Sequence, residues 1–291
     1  MREYQLAISN IAWQQSDDEE IYTAMQHCGF TGLEIAPTRI FPSEPYENLT
    51  GAALFGGYLR NRWGFHVPSL QSIWYGLEGN IFDPADTERL LDYTAQAFQF
   101  AHTVNCPSLV FGCPKNRMRP LGADDAAAEA FFMQAGNLAS RYGVRLAIEA
   151  NPPIYTNYLN GTAEAFALVK RLDNPGLAVN LDLSTMLAQG ENLQDFLMDL
   201  SYVSHIHISE PGLAPIQPRP VHRELALLLG AVGYRGAVSV EMARTDADTV
   251  KRTMAYIAEV FQCSITAALT LRVCRISAPP NTAINLPITA C

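Results

Sequence analysis

Four residues with metal-binding side chains recur at regular intervals in the second half of the chain: Glu149, Asp182, His207 and Glu241. They lie 33, 25 and 34 residues apart, each interval close to one strand–helix unit. Each closes a short apolar run: Leu146-Ala-Ile-Glu149, Asn180-Leu-Asp182, His205-Ile-His207 and Ser239-Val-Glu241. Runs this apolar should be buried, and a charge at the end of a buried run must be paired or metal-bound, because isolated burial is costly. Alone, each residue fits a helix cap, an ion pair or a satisfied core histidine. Together, in the same place on successive runs, they read as the ligands of one divalent ion. Three carboxylates and an imidazole form a mostly hard, oxygen-rich set that suits Mn²⁺, Mg²⁺ or Co²⁺ and admits Zn²⁺. An ion held this way polarises a hydroxy-carbonyl unit and stabilises the enediolate left by proton loss. Glu149 and Glu241 are then the candidate catalytic bases, with Asp182 and His207 as anchors. This is isomerase or epimerase chemistry, with dehydration through the same enediolate as its neighbour.

The elements that must position these residues are legible as eight apolar runs. They are 5–9, 32–36, 65–71, 108–112, 145–149, 177–182, 203–208 and 237–241, and a helix-like stretch follows each. Nearly continuous apolar character fits strands buried on both faces. Ser16 with Glu19 reads as a capping box, and Asp83-Pro84 as an N-cap with proline at the first helical position. Gly29 and Gly233 suit helix C-termini, and Gly32 and Gly236 open the turns into the strands that follow. Eight alternations predict an α/β fold, a single (β/α)8 TIM barrel over residues 1–262. Its active face lies at the strands' C-terminal ends. An open doubly wound sheet is the alternative, but no G-x-G-x-x-G follows the first strand. Residues 263–291 stand outside the repeat, with only Arg272 and Arg275 charged. They are expected to form a packed extension, a homodimer contact or a loose tail.

Further residues line the expected active face. Glu34 and Gln71 end the second and third strands, and Glu210 follows His207 by three; each is a substrate-binding candidate or a structural hydrogen-bonding group. Lys115, Arg117 and Arg119 crowd the loop after the fourth strand. Lys115 and Arg117 suggest an anion clamp for a carboxylate or phosphate, against the alternative of a solvated loop. Trp13, Trp74 and Tyr75 either wall a substrate or pack over the rim. His205 points the same way as His207 one layer deeper and reads as a core histidine.

Composition narrows the partners. The chain of 291 residues is 48% hydrophobic and 17% charged, with net charge −9. It lacks the basic footprint of a nucleic-acid binder. No apolar run reaches membrane-spanning length, and the N-terminus has no signal core. Six cysteines at 28, 106, 113, 263, 274 and 291 show no paired spacing, consistent with free thiols in a cytoplasmic protein.

The segments Leu146-Ala-Ile-Glu149-Ala-Asn151, Leu181-Asp182, His205-Ile-His207-Ile-Ser-Glu210 and Gly233-Tyr-Arg-Gly-Ala-Val-Ser-Val-Glu241 resemble the xylose isomerase-like barrel superfamily. That superfamily holds sugar epimerases, inosose isomerases and dehydratases, and endonuclease IV. The resemblance implies a metal bound by Glu149, Asp182, His207 and Glu241, and a small carbohydrate substrate. It also implies that the two glutamates flank the reacting carbon, as in ketose epimerases. Two positions depart from those epimerases: Thr185 stands where they have a histidine, and Leu213 where they have an arginine. Gln71 and Gly112 replace residues that the three-metal site of endonuclease IV would require.

Overall fold

The structure is a computed structural model that describes residues 4–277, with side chains described for residues 4–262. Seven parallel strands form one curled sheet: β1 (Gln5–Ser9), β2 (Gly32–Glu34), β3 (Ser108–Phe111), β4 (Arg145–Glu149), β5 (Leu177–Asp182), β6 (Val203–Ile208) and β7 (Ala237–Val240). Their order round the sheet is β2-β1-β7-β6-β5-β4-β3. The segment expected as a third strand, 65–71, lies between β2 and β3 but forms only isolated bridges: Gly32 to His66, Ile35 to Leu70 and Leu70 to Leu109. Pro68 in its middle has no N–H to donate, so a continuous ladder is interrupted there. The groups on either side still close the ring. Ile35 N donates to Ser69 O at 3.2 Å, and Val110 N donates to Leu70 O at 2.8 Å. The result is the expected parallel barrel, with one of its eight staves reduced to bridges.

Nine helices are described: α1 (Asp18–Cys28), α2 (Pro37–Ile40), α3 (Leu49–Tyr58), α4 (Pro84–Thr103), α5 (Ala126–Tyr142), α6 (Thr162–Leu172), α7 (Leu183–Gln189), α8 (Pro220–Val232) and α9 (Ala247–Ser277). The longer ones bury one face. Helix α5 turns Phe131, Phe132, Ala135 and Ala139 inward, the spacing of a helix packed on a sheet. Phe111 from β3 meets Phe132 edge-on, with ring centroids 5.2 Å apart. Asp83 caps α4 as expected, accepting from Ala85 N at 2.9 Å, with Pro84 in the first turn. Gly29 and Gly233 both take φ of 70° at the ends of α1 and α8. The capping box of Ser16 and Glu19 does not form. A 3-10 turn over Gln15–Asp17 runs straight into α1, so no extended capping residue exists, and Ser16 Oγ donates to Asp17 instead. Cys28, Cys106 and Cys113 are free thiols. Among the described residues no helix is long and apolar enough to cross a membrane. The tail expected over 263–291 falls outside the described residues: its side chains throughout, and its backbone from 278.

Gly32 is required by close approach. A Cβ there would lie 2.8 Å from Ala7 Cβ and 3.1 Å from Pro68 Cγ, and Ala7 is its partner in the β1–β2 register. Gly32→Ala is expected to destabilise the barrel by about 1–3 kcal/mol. The urea midpoint should fall with an unchanged m value; a wild-type midpoint would contradict the packing argument.

Candidate metal centre

Strands β4 to β7 are consecutive neighbours, so their C-terminal ends stand side by side on one rim. Register brings the ends level. Glu149 pairs with Asn180, Asp182 with His207, and His207 with Ser239. Glu241, one residue past β7, still donates its N–H to Ile208 O at 2.9 Å. One donor atom from each of Glu149, Asp182, His207 and Glu241 falls within 4.8 Å of the other three. His207 Nδ1 sits 3.1 Å from Glu149 Oε1 and 3.2 Å from Glu241 Oε2.

The surroundings fix these donors in place. Asn180 Nδ2 donates to Glu149 Oε1 at 2.7 Å, and Asn151 Nδ2 to Oε2 at 3.1 Å. Asp182 caps α7, accepting from Thr185 N at 3.0 Å, Thr185 Oγ1 at 2.9 Å and Ser184 Oγ at 2.6 Å, and it also accepts from Ser209 Oγ. Glu34 Oε1 meets His207 Nε2 at 3.0 Å, and Ser239 Oγ donates to Glu34 Oε2 at 2.8 Å. A hydrogen on Nε2 therefore points at Glu34 and leaves Nδ1 to face the glutamates, the arrangement that orients a ligating imidazole. A Cβ on Gly112 would lie 2.6 Å from Glu149 Oε2, so only glycine leaves room for that carboxylate.

The donor set fits a divalent cation. Among the described residues no Lys or Arg forms an ion pair with Glu149, Asp182 or Glu241. Three carboxylates thus converge on a single imidazole, and the negative charge calls for a cation among them. The electrostatics show the same imbalance. Burial would lower the His207 pKa, but Glu241, Glu34 and Glu149 hold it well above the usual imidazole range. Burial pushes Glu241 up to about 7 against the pull of His207, and Glu149 and Glu34 reinforce the rise. For Glu149, burial is outweighed by His207, Asn151 and Asn180, and the carboxyl is held below its ordinary value. For Glu34, burial is likewise outweighed by His207 and His205.

Not every expected residue reaches the centre. A cavity of about 310 Å³ opens over it, lined by Gln71, Gly112, Asn151, Ser184 and Leu213 along with Glu149, Asp182 and Glu241. Gln71 is therefore at the cavity, its Nε2 donating to Ser9 Oγ at 2.9 Å. Glu34, expected to touch substrate, is fully buried beneath His207 and away from the cavity. Glu210 is also buried and takes a two-pronged ion pair from Arg219, at 2.7 and 2.6 Å, that ties down the loop after β6. The clamp expected of Lys115 and Arg117 is not assembled. Lys115 is exposed outside the cavity, while Arg117 turns inward and donates to Glu149 O at 2.8 Å and Asn151 Oδ1 at 2.7 Å. Trp13 and Trp74 are core residues whose indoles donate to Asp18 and Thr94. His205 is buried, and its Nε2 comes within 3.1 Å of Glu34 Oε1 without hydrogen-bond geometry. Asn180 and Ser239, which hydrogen-bond Glu149 and Glu34 beside the candidate ligands, are residues that sequence reading passed over. Each lies two positions before a ligand, on the same strand face, and that period of two was the available signal.

Fold and donor set together define a parallel barrel with a candidate carboxylate–imidazole metal site at its C-terminal rim. The chain belongs to the xylose isomerase-like TIM barrel family, whose model matches residues 22–260. Among solved structures it is similar to the D-psicose 3-epimerase of Clostridium cellulolyticum H10, solved with D-tagatose (15% identity, 90% of this chain and 99% of that one, TM-score 0.73). It is also similar to the apo 3-keto-D-glucoside 4-epimerase of E. coli (19% identity, 88% and 99%, TM-score 0.71). A third is the IOLI protein with a bound zinc atom (15% identity, 92% and 98%, TM-score 0.65). At these identities the likeness shows the fold. No curated protein matches the chain at the sequence level.

Two outcomes test the centre. Glu34→Gln should weaken divalent-metal affinity about 10–100-fold, because it disturbs the partner that orients His207. Equilibrium dialysis would read this, and a wild-type affinity would remove Glu34 from the role. Metal binding should also release protons near pH 7, since an ion at Nδ1 displaces the proton that raised pKa retains there. Affinity should therefore fall as pH is lowered. Calorimetry in buffers of different ionisation enthalpy would check it, and buffer-independent heats would contradict it.

Proposed function

We propose that this protein is a divalent-metal-dependent isomerase or epimerase of a small sugar, working by proton transfer through an enediolate. The observation that carries the reading is the pair Glu149 and Glu241, which flank His207 Nδ1 at 3.1 and 3.2 Å beneath a cavity of monosaccharide scale. A divalent cation bound there would polarise a carbonyl and offset the charge left by proton removal. Glu149 and Glu241 exchange the substrate proton, one from each side of the reacting carbon. Asn151 and Asn180 keep the Glu149 carboxylate aimed at the cavity, and Asp182 is immobilised by its capping bonds to α7. The likeness to D-psicose 3-epimerase and 3-keto-D-glucoside 4-epimerase supports carbohydrate as the substrate class. Among the described residues no Lys or Arg lines the cavity, which favours a neutral sugar over a sugar acid or sugar phosphate. Mn²⁺, Mg²⁺, Co²⁺ and Zn²⁺ all suit the ligands.

A dehydratase reading stands beside this one. Leu213, apolar and facing the cavity where ketose epimerases carry an arginine, leaves one polar contact fewer for a ketose. Loss of a β-hydroxyl from the same enediolate would follow the first proton removal, with that proton returned by a carboxyl group to the leaving oxygen, which departs as water.

Glu149→Gln and Glu241→Gln keep the side-chain shape and an oxygen donor but cannot take a proton. Each should lower turnover about 10²–10⁴-fold while retaining metal. In an epimerase, each variant should still exchange the proton of one epimer with D₂O in preference to the other. Near wild-type turnover by either metal-loaded variant would end the two-base mechanism.

A further inference from the structure

The cavity over the metal centre does not end at its own wall. Ser72, which lines it, also lines a wider groove of about 1100 Å³ on the same face of the barrel. The groove is walled by loops after β1 and β2, by the stretch that follows the bridging segment, and by the turn after β7. The first cavity is near the lower limit for a small-molecule site, and one sugar ring accounts for it. The groove has room for a second.

Its lining has a definite chemistry. Tyr75 is 73% exposed; among the described residues its ring makes no aromatic contact and its hydroxyl no hydrogen bond. Tyr93, half-buried, backs the groove from α4. Glu44 and Arg244 are both exposed, and among the described residues neither side chain forms an ion pair or hydrogen bond. An anionic group would be attracted by Arg244 and repelled by Glu44, and a cationic group the reverse. A polyhydroxylated neutral group suits both, since each hydroxyl donates as well as accepts. Tyrosine offers an apolar face for the C–H side of such a ring together with a polar tip.

We propose that this groove is a subsite for a second, uncharged sugar unit, so that the substrate is a glycoside or disaccharide rather than a free monosaccharide. Tyr75 stacks on the outer ring, Glu44 and Arg244 take its hydroxyls, and Ser72 marks the joint with the ring held over the metal centre. The proposal rests on the sugar isomerase reading of that centre and names its substrate class.

The test uses the full-length protein loaded with Mn²⁺ and two probe pairs, fructose with lactulose and glucose with maltose. Affinity is measured by calorimetry, and proton exchange in D₂O by NMR. At least one disaccharide should bind about tenfold or more tightly than its monosaccharide. Tyr75→Ala and Arg244→Ala should each shrink that ratio by about 3- to 10-fold. Equal affinity within both pairs, binding by no probe, or a ratio untouched by both substitutions would overturn the subsite. The exchange arm separates the two readings. Proton exchange into a free monosaccharide with no gain from the second ring would sink the subsite and leave the reaction. Preferential disaccharide binding without exchange in any sugar would sink the reaction and leave the subsite.

Discussion

Three carboxylates meet one imidazole at the rim of this barrel, and among the described residues no lysine or arginine forms an ion pair with them; Arg117 acts on Glu149 only from behind. Glu149, Asp182 and Glu241 would repel one another in a site sheltered from water, and the low dielectric makes that repulsion stronger. A divalent cation among the four donors would resolve the conflict. Much of the neighbouring structure is explicable as what holds the donors together before an ion arrives.

That support comes from neutral groups and from one buried acid. Asn151 and Asn180 donate to Glu149, while Thr185, Ser184 and Ser209 donate to Asp182. Amides and hydroxyls orient a carboxylate without neutralising it, so its charge stays available to a cation. Glu34 serves differently. Its contact with His207 Nε2 turns the ring so that Nδ1 faces Glu149 and Glu241, and Ser239 holds Glu34 in turn. Gly112 contributes by what it lacks, since a methyl group would occupy the space of Glu149 Oε2.

The cations of the loop after β3 illustrate how function and scaffold trade places. Arg117 is buried, and its guanidinium bonds to the backbone oxygen of Glu149 and to Asn151, the residue that itself steers Glu149. It braces the centre from behind and offers no hand to an anionic substrate. Glu210 and Arg219 act likewise on the loop after β6, closing a strong ion pair that secures one wall of the cavity. The polar groups that do line the cavity include Gln71 and Ser184.

Periodicity alone carried the barrel and the convergence of the four donors. Strand ends repeat at the length of a βα unit, a strand's side chains alternate with a period of two, and parallel neighbours in register stand level. The last inward residues of β4, β5 and β6, and the one just past β7, must therefore converge, whatever surrounds them. Asp83-Pro84 and Gly29 were legible for the same reason: caps depend on a few adjacent residues. Tertiary structure decided the rest. Whether 65–71 completes a ladder depended on Pro68 meeting two neighbours far along the chain, and Ser16 lost its capping role to a preceding 3-10 turn. Glu34 looked like a residue of the active face, yet it lies under His207, a partner 173 residues away. Arg117 could have pointed to solvent, and its direction was set by acceptors 32 and 34 residues on. Backbone patterns are local and repeat. A long polar side chain goes where the folded chain offers it a partner, and that partner is named only once distant strands have come together.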